Sequence, residues 1–172
     1  MIYILTGPVH SGKSTFLKRL VDQLKNENIR IHGFLTVCVR KDQEIVGYDL
    51  LDLKEERTIP FIRREGQKEW ERVGGYFFIP AGLAEAKFLI ASCTKADILV
   101  VDEIGPLELR EKGLWSSLRH LLLSPPKVLI LTVRRNILED FLRFTGDEKA
   151  EIFDIQEENV FSRMHEKIKK RL

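Results

Sequence analysis

The stretch that decides the fold is Gly7-Pro8-Val9-His10-Ser11-Gly12-Lys13-Ser14. It matches in full the P-loop pattern G-x-x-x-x-G-K-[ST], in which a glycine-rich turn points backbone N–H groups at phosphate oxygens. The apolar run Ile2 to Thr6 before it predicts a strand, and an apolar stripe from Phe16 to Leu24 after it predicts a helix. A strand, this turn and a helix in that order form the context that confirms such a match.

Each fixed position of the P-loop has a physical task. Gly7 and Gly12 let the backbone approach the phosphates, and Lys13 places its ammonium between the β- and γ-phosphates. The hydroxyl of Ser14 is a Mg²⁺ ligand in this pattern, and the start of the following helix adds its positive dipole end. We therefore expect a nucleoside triphosphate with bound Mg²⁺ to contact Gly7, Pro8, Val9, His10, Ser11, Gly12, Lys13, Ser14 and Thr15.

A second, acidic anchor follows the apolar run Ile98 to Val101. Asp102 ends this predicted buried strand, so its carboxylate should face the P-loop across the crevice where such sheets bind ligands. We predict that Asp102 and Ser14 hold Mg²⁺ and that Glu103 orients and polarises an attacking water. Gly105, in the loop after Glu103, is expected to contact the nucleotide. Glu103 favours hydrolysis over phosphoryl transfer, because a kinase must keep water from the γ-phosphate.

Short apolar runs alternate with helical patterns through the rest of the chain. Strands are predicted at 2–6, 31–39, 45–53, 98–102, 127–133 and 151–155, and helices at about 14–24, 83–92, 113–123, 137–144 and the C-terminus. The turn Lys41-Asp42-Gln43 predicts an antiparallel hairpin, Asn136 is a candidate N-cap, and the charged residues 54–75 predict an irregular loop. We expect an α/β fold, a P-loop NTPase three-layer sandwich with a mostly parallel five-stranded core sheet plus an antiparallel hairpin, in one domain over residues 1–172.

The composition is that of an ordinary globular protein. Lys and Arg total 28 and Asp and Glu total 26, a net charge of +2 that gives no reason to expect nucleic acid as a partner. No signal peptide and no membrane span are predicted, so we expect a cytoplasmic protein with no membrane partner; protein partners stay unknown. Cys38 and Cys93 are far apart and lie among apolar or small residues, which predicts two buried thiols in a reducing compartment.

Beyond the P-loop, several stretches resemble the nucleoside-triphosphatase family typified by thermophile enzymes, which is related to nucleotide kinases. The matching stretches are Gly33-Phe34-Leu35-Thr36, Val39-Arg40, Val46-Gly47-Tyr48-Asp49, Arg72-Val73-Gly74-Gly75-Tyr76, Ala96 to Leu109 and Glu158-Asn159. The resemblance implies slow, Mg²⁺-dependent hydrolysis of several nucleoside triphosphates, with Glu103 as the catalytic carboxylate. The chain departs from the family's usual pattern at Val9-His10-Ser11, Val37-Cys38 and Val160.

Phosphoryl transfer usually needs a further cation at the transition state. Arg72, before the flexible Gly74-Gly75, is the first candidate and joins Lys13 and Glu103 as a predicted catalytic residue; Arg134 and Arg135 are the alternatives. Thr94-Lys95-Ala96-Asp97 imitates a guanine-recognition motif but precedes the acidic strand, so we interpret it as an ordinary turn. Two other functions stay open: a nucleotide or small-molecule kinase, with 54–76 as lid and acceptor site, and a nucleotide-dependent switch or assembly module.

Overall fold

The computed structural model describes residues 1–92, 96–146 and 150–172, which contain nine strands and five α-helices. The strands are β1 (Ile2–Gly7), β2 (Ile31–Lys41), β3 (Glu44–Asp52), β4 (Thr58–Arg63), β5 (Arg72–Val73), β6 (Tyr76–Phe78), β7 (Ile98–Ile104), β8 (Val128–Arg134) and β9 (Glu151–Asp154). The helices are α1 (Lys13–Asn26), α2 (Pro80–Ala91), α3 (Trp115–Leu123), α4 (Leu138–Thr145) and α5 (Val160–Arg171).

The strands form one sheet in the order β5-β6-β4-β3-β2-β7-β8-β1-β9. β2, β7, β8, β1 and β9 pair in parallel, and β3 returns antiparallel along β2. The predicted five-stranded parallel core and its hairpin are therefore confirmed. Because parallel strands end at one edge of a sheet, the ends of β1, β7 and β8 bring the P-loop, Asp102 and Arg134 together.

Helices cover both faces of the sheet, which gives the expected three layers. Two consecutive residues of β1 illustrate this arrangement. Ile4 packs with the cluster under α2, α3 and α4, whereas Leu5 packs with the cluster under α1 and α5. Both side chains are fully buried. Strands that are apolar on both faces appear as near-continuous hydrophobic runs, which is why the sequence pattern predicted the parallel core.

The segment 54–75 is more regular than expected. It contains β4 and β5, which extend the sheet beyond the predicted hairpin. The charged residues that suggested a loop lie at the ends of these strands, whereas Phe61 and Ile62 are buried in the core. Pro60, which cannot donate to a ladder, sits where the β3–β4 register shifts between Tyr48 and Asp49. The prediction of an irregular loop was wrong because Pro60 and the flanking arginines concealed a strand that pairs antiparallel with β3, the strand directly before it in the chain.

Two local predictions also need correction. Asn136 is not the N-cap of α4: it lies inside a 3₁₀ turn, Arg135–Ile137, and Ile137 occupies the cap position. Cys38 is exposed rather than buried, because β2 extends beyond the core after Thr36, and Val37 and Cys38 on its two faces are both exposed. Cys93, Thr94 and Lys95 lie outside the described residues. Among the helices that are described, none has the length and apolar character needed to cross a membrane.

Candidate active site

The P-loop wraps around its own lysine. Lys13 is only 7% exposed, and its Nζ donates to the carbonyl oxygens of Pro8 at 2.8 Å and Gly7 at 3.3 Å. The Ser11 hydroxyl also donates to Pro8 O at 2.8 Å. Gly12 has φ 86°, a left-handed conformation that glycine adopts freely, and α1 begins at the next residue. The loop therefore directs the ammonium and the N-terminus of α1 to the same place.

Asp102 is the centre of a buried hydrogen-bond network at the end of β7, and its side chain is 0% exposed. Its Oδ2 accepts from Ser14 Oγ at 2.7 Å and from Thr36 N and Oγ1 at 2.9 and 2.8 Å. Its Oδ1 accepts from Thr132 Oγ1 at 2.6 Å. One carboxylate thus connects α1, β2, β7 and β8, and the predicted metal ligands Ser14 and Asp102 are in direct contact.

Glu103 is set apart from Asp102 by an irregularity in the strand. The β7–β8 register shifts between Val101 and Ile104, and Glu103 has φ 69°. Its N–H donates to Thr132 Oγ1 at 2.7 Å. Bulges of this kind commonly re-aim a side chain next to an active site, and a left-handed non-glycine residue costs on the order of 1–3 kcal/mol. The sequence suggested simple alternation of side chains, but the bulge is what turns Glu103 into the cavity.

Arg134 balances the charge of Glu103. Its Nη2 lies 3.3 Å from Glu103 Oε2, at the end of β8. Burial and the neighbouring Asp102 charge raise the pKa of Glu103, while Arg134 and Lys13 act in the opposite direction. Burial lowers the pKa of Lys13, and the charges of Glu103 and Asp102 oppose that change. The site therefore holds two cations against two carboxylates in a partly dehydrated pocket.

A cavity of about 860 Å³, the first cavity, opens beside the P-loop. At one end it is lined by P-loop residues, Glu103 and Arg134, and at the other by apolar and polar residues of β2 and β3. Its lining residues are Val9, His10, Ser11, Gly12, Lys13, Ser14, Thr15, Lys18, Arg19, Leu35, Thr36, Val37, Cys38, Arg40, Ile45, Tyr48, Leu51, Glu103 and Arg134. Pockets of 300–1,000 Å³ suit small organic ligands, so a nucleotide-sized molecule fits here.

The structure brings most of the predicted site together, but not all of it. Gly105 is buried, and its N–H donates to Glu108 Oε2 at 2.8 Å. It lines neither the first cavity nor a neighbouring, smaller cavity of about 590 Å³. Arg72 lines only the neighbouring cavity, where its Nε donates to Gly74 O at 3.0 Å. Arg135 pairs with Asp154 and lines neither cavity. Of the three candidate arginines, Arg134 is the one beside Glu103.

Two site residues were not predicted from the sequence. Thr36 and Thr132 both donate to Asp102, from the neighbouring parallel strands β2 and β8. The available signal was weak: Thr132 lies near the carboxyl end of β8, and Thr36 lies just past the part of β2 that pairs with β7, where side chains from adjacent parallel strands meet. A hydroxyl at such a position is also common in ordinary strands, so the sequence alone gave no reason to choose them.

The fold and the arrangement around Lys13 and Asp102 define the class: an α/β sandwich of the P-loop NTPase type. The profile of the family described as NTPase matches residues 2–169. The chain belongs to the NTPase family.

The chain is 30% identical over 161 residues to nucleoside-triphosphatase THEP1 of Thermoplasma acidophilum. This alignment covers 88% of this chain and 84% of that protein. It is 35% identical over 108 residues to the protein of the same name from Archaeoglobus fulgidus, covering 63% and 62%.

Solved structures agree on the fold. A human cancer-related nucleoside triphosphatase superposes with a TM-score of 0.73 at 23% identity, covering 98% of this chain and 95% of that one. THEP1 from the hyperthermophile Aquifex aeolicus superposes with a TM-score of 0.76 at 21% identity, covering 95% and 96%. At these identities the likeness establishes the shared architecture.

Proposed function

We propose that this protein is a Mg²⁺-dependent nucleoside triphosphatase that hydrolyses triphosphates to diphosphate and phosphate. The observation that carries the proposal is the placement of the Glu103 carboxylate at the edge of a cavity whose floor is the P-loop. Membership of the NTPase family and the names of the curated relatives support hydrolysis as the reaction. We expect slow turnover, about 10⁻² s⁻¹, as for GTPases that carry their own arginine.

The donor set around Asp102 fits a magnesium ion. Of the described side chains, the hydroxyls of Ser14, Thr36 and Thr132 meet there with the Asp102 carboxylate, and every one of these groups offers oxygen. Mg²⁺ prefers oxygen, and proteins usually supply one or two ligands while substrate phosphates and waters supply the rest. Ser14 and Asp102 would hold the ion, which when bound neutralises charge on the β- and γ-phosphates.

The chain's own residues divide the remaining work. Lys13 and the N-terminus of α1 bind and orient the phosphates, since both direct positive charge into the loop. Glu103 orients a water molecule toward the γ-phosphate and accepts a proton from that water. Its raised pKa makes it a stronger base than an ordinary glutamate. Arg134, which already contacts Glu103, supplies the extra cation for the transition state in preference to Arg72.

A phosphate-release assay tests the function directly. ATP, GTP, CTP and UTP are each supplied with and without Mg²⁺, and the products are separated to detect diphosphate. We expect release with each triphosphate that depends on Mg²⁺ and needs no second substrate. Release that appears only when a hydroxyl-bearing acceptor is added would contradict the proposal and favour a kinase.

The substitution Glu103→Gln separates binding from hydrolysis. The amide keeps the side chain's shape but cannot take a proton, so we expect hydrolysis to fall about 10²–10⁴-fold while the affinity for the triphosphate changes little. Single-turnover hydrolysis and calorimetry measure the two quantities. Glu166→Gln, an exposed position on α5, makes the same chemical change away from the site and is the matched control. Full activity in Glu103→Gln would remove Glu103 from its assigned role.

A further inference from the structure

A second cavity of about 590 Å³ adjoins the first one. Much of its wall comes from β4, β5 and β6, which were not predicted as strands, and from the segment after β7. Glu103 and Arg134 line both cavities, whereas Lys13 and Ser14 line only the first. Val9, His10, Thr36 and Tyr48 also line both, so the Glu103–Arg134 pair is the charged part of the boundary between the phosphate-binding loop and the second space.

The second cavity carries an excess of positive charge. Of the residues that the structure describes, those lining it include Arg72, Arg110 and Arg134 but a single carboxylate, Glu103, which Arg134 already neutralises. Among the described residues, Arg72 and Arg110 have no carboxylate within ion-pair distance; the Arg72 guanidinium instead lies over the Phe77 ring at 5.8 Å and donates to Gly74 O. Most other arginines of the described segments are paired, as Arg30, Arg57, Arg63, Arg64, Arg135, Arg143 and Arg163 are.

The rest of the lining is mainly apolar and aromatic. Tyr48 and Tyr76 pack edge to face with their ring centroids 5.9 Å apart, and Ile62, Val73 and Leu107 complete the wall. Two guanidinium groups that have no carboxylate partner among the described residues, beside such a wall, suit a ligand with an anionic head and a small apolar or planar body. Guanidinium matches the oxygens of a phosphate group in a bidentate geometry, and the volume is that of a small-molecule site.

We propose that the second cavity is a binding site for a small organic phosphate monoester, held at its phosphate by Arg72 and Arg110 and at its organic part by Tyr76 and the apolar wall. The position of this ligand next to a bound triphosphate rests on the proposed function, but its binding does not. With both cavities filled, the monoester and the triphosphate would lie on opposite sides of the Glu103–Arg134 pair.

Calorimetry with phenyl phosphate as the probe tests this site. The wild-type protein is titrated first alone and then with its first cavity saturated by ADP and Mg²⁺. We expect phenyl phosphate to bind under both conditions. The substitutions Arg72→Gln and Arg110→Gln should each weaken its binding about tenfold, the loss typical of a charged hydrogen-bonding group. Arg119→Gln, an exposed arginine on α3 outside both cavities, is the matched control and should leave the affinity unchanged.

Two other outcomes would contradict the proposal, and a third would contradict only the proposed function. If ADP displaces phenyl phosphate completely, the P-loop is its only site and the second cavity is not one. If inorganic phosphate binds as tightly as phenyl phosphate, the apolar wall contributes nothing and an organic monoester is not the ligand. If ADP itself does not bind, the proposed function fails, whereas the titrations of Arg72→Gln and Arg110→Gln without ADP still test the second cavity.

Discussion

At the scale of single residues, Glu103 combines the proposed catalytic carboxylate with a left-handed backbone, φ 69°. Replacing Glu103 by alanine and by glycine removes the carboxylate in both cases, so the difference in stability between the two variants should measure the strain of that backbone conformation. We expect Glu103→Gly to be more stable than Glu103→Ala by about 1 kcal/mol, because only glycine adopts this φ without strain. Urea denaturation of the two variants measures the difference.

The comparison has a matched control on α5. At Glu166, an exposed position inside a regular helix, alanine should be more stable than glycine by about 1 kcal/mol, since glycine loses more backbone entropy there. The order of the two variants should thus reverse between positions 103 and 166. The same order at both positions would mean that the backbone at Glu103 is not strained.

Glu108 provides a second residue-scale prediction, on pH. Its carboxylate is 3% exposed and accepts from the N–H groups of Gly105 and Leu114, yet burial dominates and raises its pKa, with the charge of Glu71 adding to the increase. A raised pKa means that the folded state binds the proton more tightly than the unfolded state. The contribution of Glu108 to the free energy of unfolding should therefore fall as the pH rises above about 4.3, the ordinary value for Glu.

Denaturation of wild type and Glu108→Gln across pH 3.5–8 isolates this contribution, because other carboxylates titrate equally in both proteins. The wild-type stability minus that of the variant should decrease with rising pH and then level off above the raised pKa. A difference that increases with pH would show that the two N–H donors, rather than burial, control the ionisation of Glu108.

At the scale of elements, the features that were predictable depend on short stretches of chain. The P-loop and the Asp102 strand each need about ten consecutive residues, and a two-faced apolar pattern marks the parallel core. The β4–β6 extension was missed because Pro60 and several arginines argue locally against strands, whereas what makes β4 a strand is its pairing with β3 on one side and β6 on the other. The second cavity is lined in part by these same elements. The kinase alternative had assigned an acceptor site to 54–76, but the contribution of Arg110 and Arg134 to this cavity depends on the three-dimensional fold.

The pairing of β2 with β7 gives the prediction that belongs to this scale. Gly33 has φ 97°, and a Cβ placed there would lie 1.9 Å from the backbone oxygen of Val100. Gly33→Ala should therefore destabilise the protein by about 3 kcal/mol or more and loosen the contact between Thr36 and Asp102. Gly75→Ala, where an added Cβ meets nothing within 4 Å, is the control and should change stability little. Equal stability of the two variants in urea would contradict the close approach of β2 and β7.

At the scale of the whole molecule, Asp102 links four elements, so a ligand that engages this network should stabilise the entire fold. At a non-hydrolysable triphosphate analogue concentration 100 times its Kd, linkage predicts about 2.7 kcal/mol of added stability with Mg²⁺ present. For a domain of this size that corresponds to a rise in Tm of about 5–10 °C. Thermal unfolding with and without Mg²⁺ measures it.

Lys13→Ala removes the ammonium from the P-loop and should reduce the rise in Tm at the same analogue concentration, since the affinity itself falls. Lys112 is an exposed lysine outside both cavities, so the Lys112→Ala variant should show the same rise in Tm as the wild-type protein. A rise that is equally large in Lys13→Ala would place the triphosphate somewhere other than the P-loop.

The two outermost strands of the sheet have a further consequence. β5 has two residues and β9 has four, so neither flank offers a long row of unpaired N–H and C=O groups to another chain. Short edges of this kind protect natural sheets from edge-to-edge polymerisation. A protein with an apolar interior this extensive should thus remain free of cross-β fibrils at high concentration as long as it stays folded, and fibril growth should begin only after denaturation exposes the long inner strands.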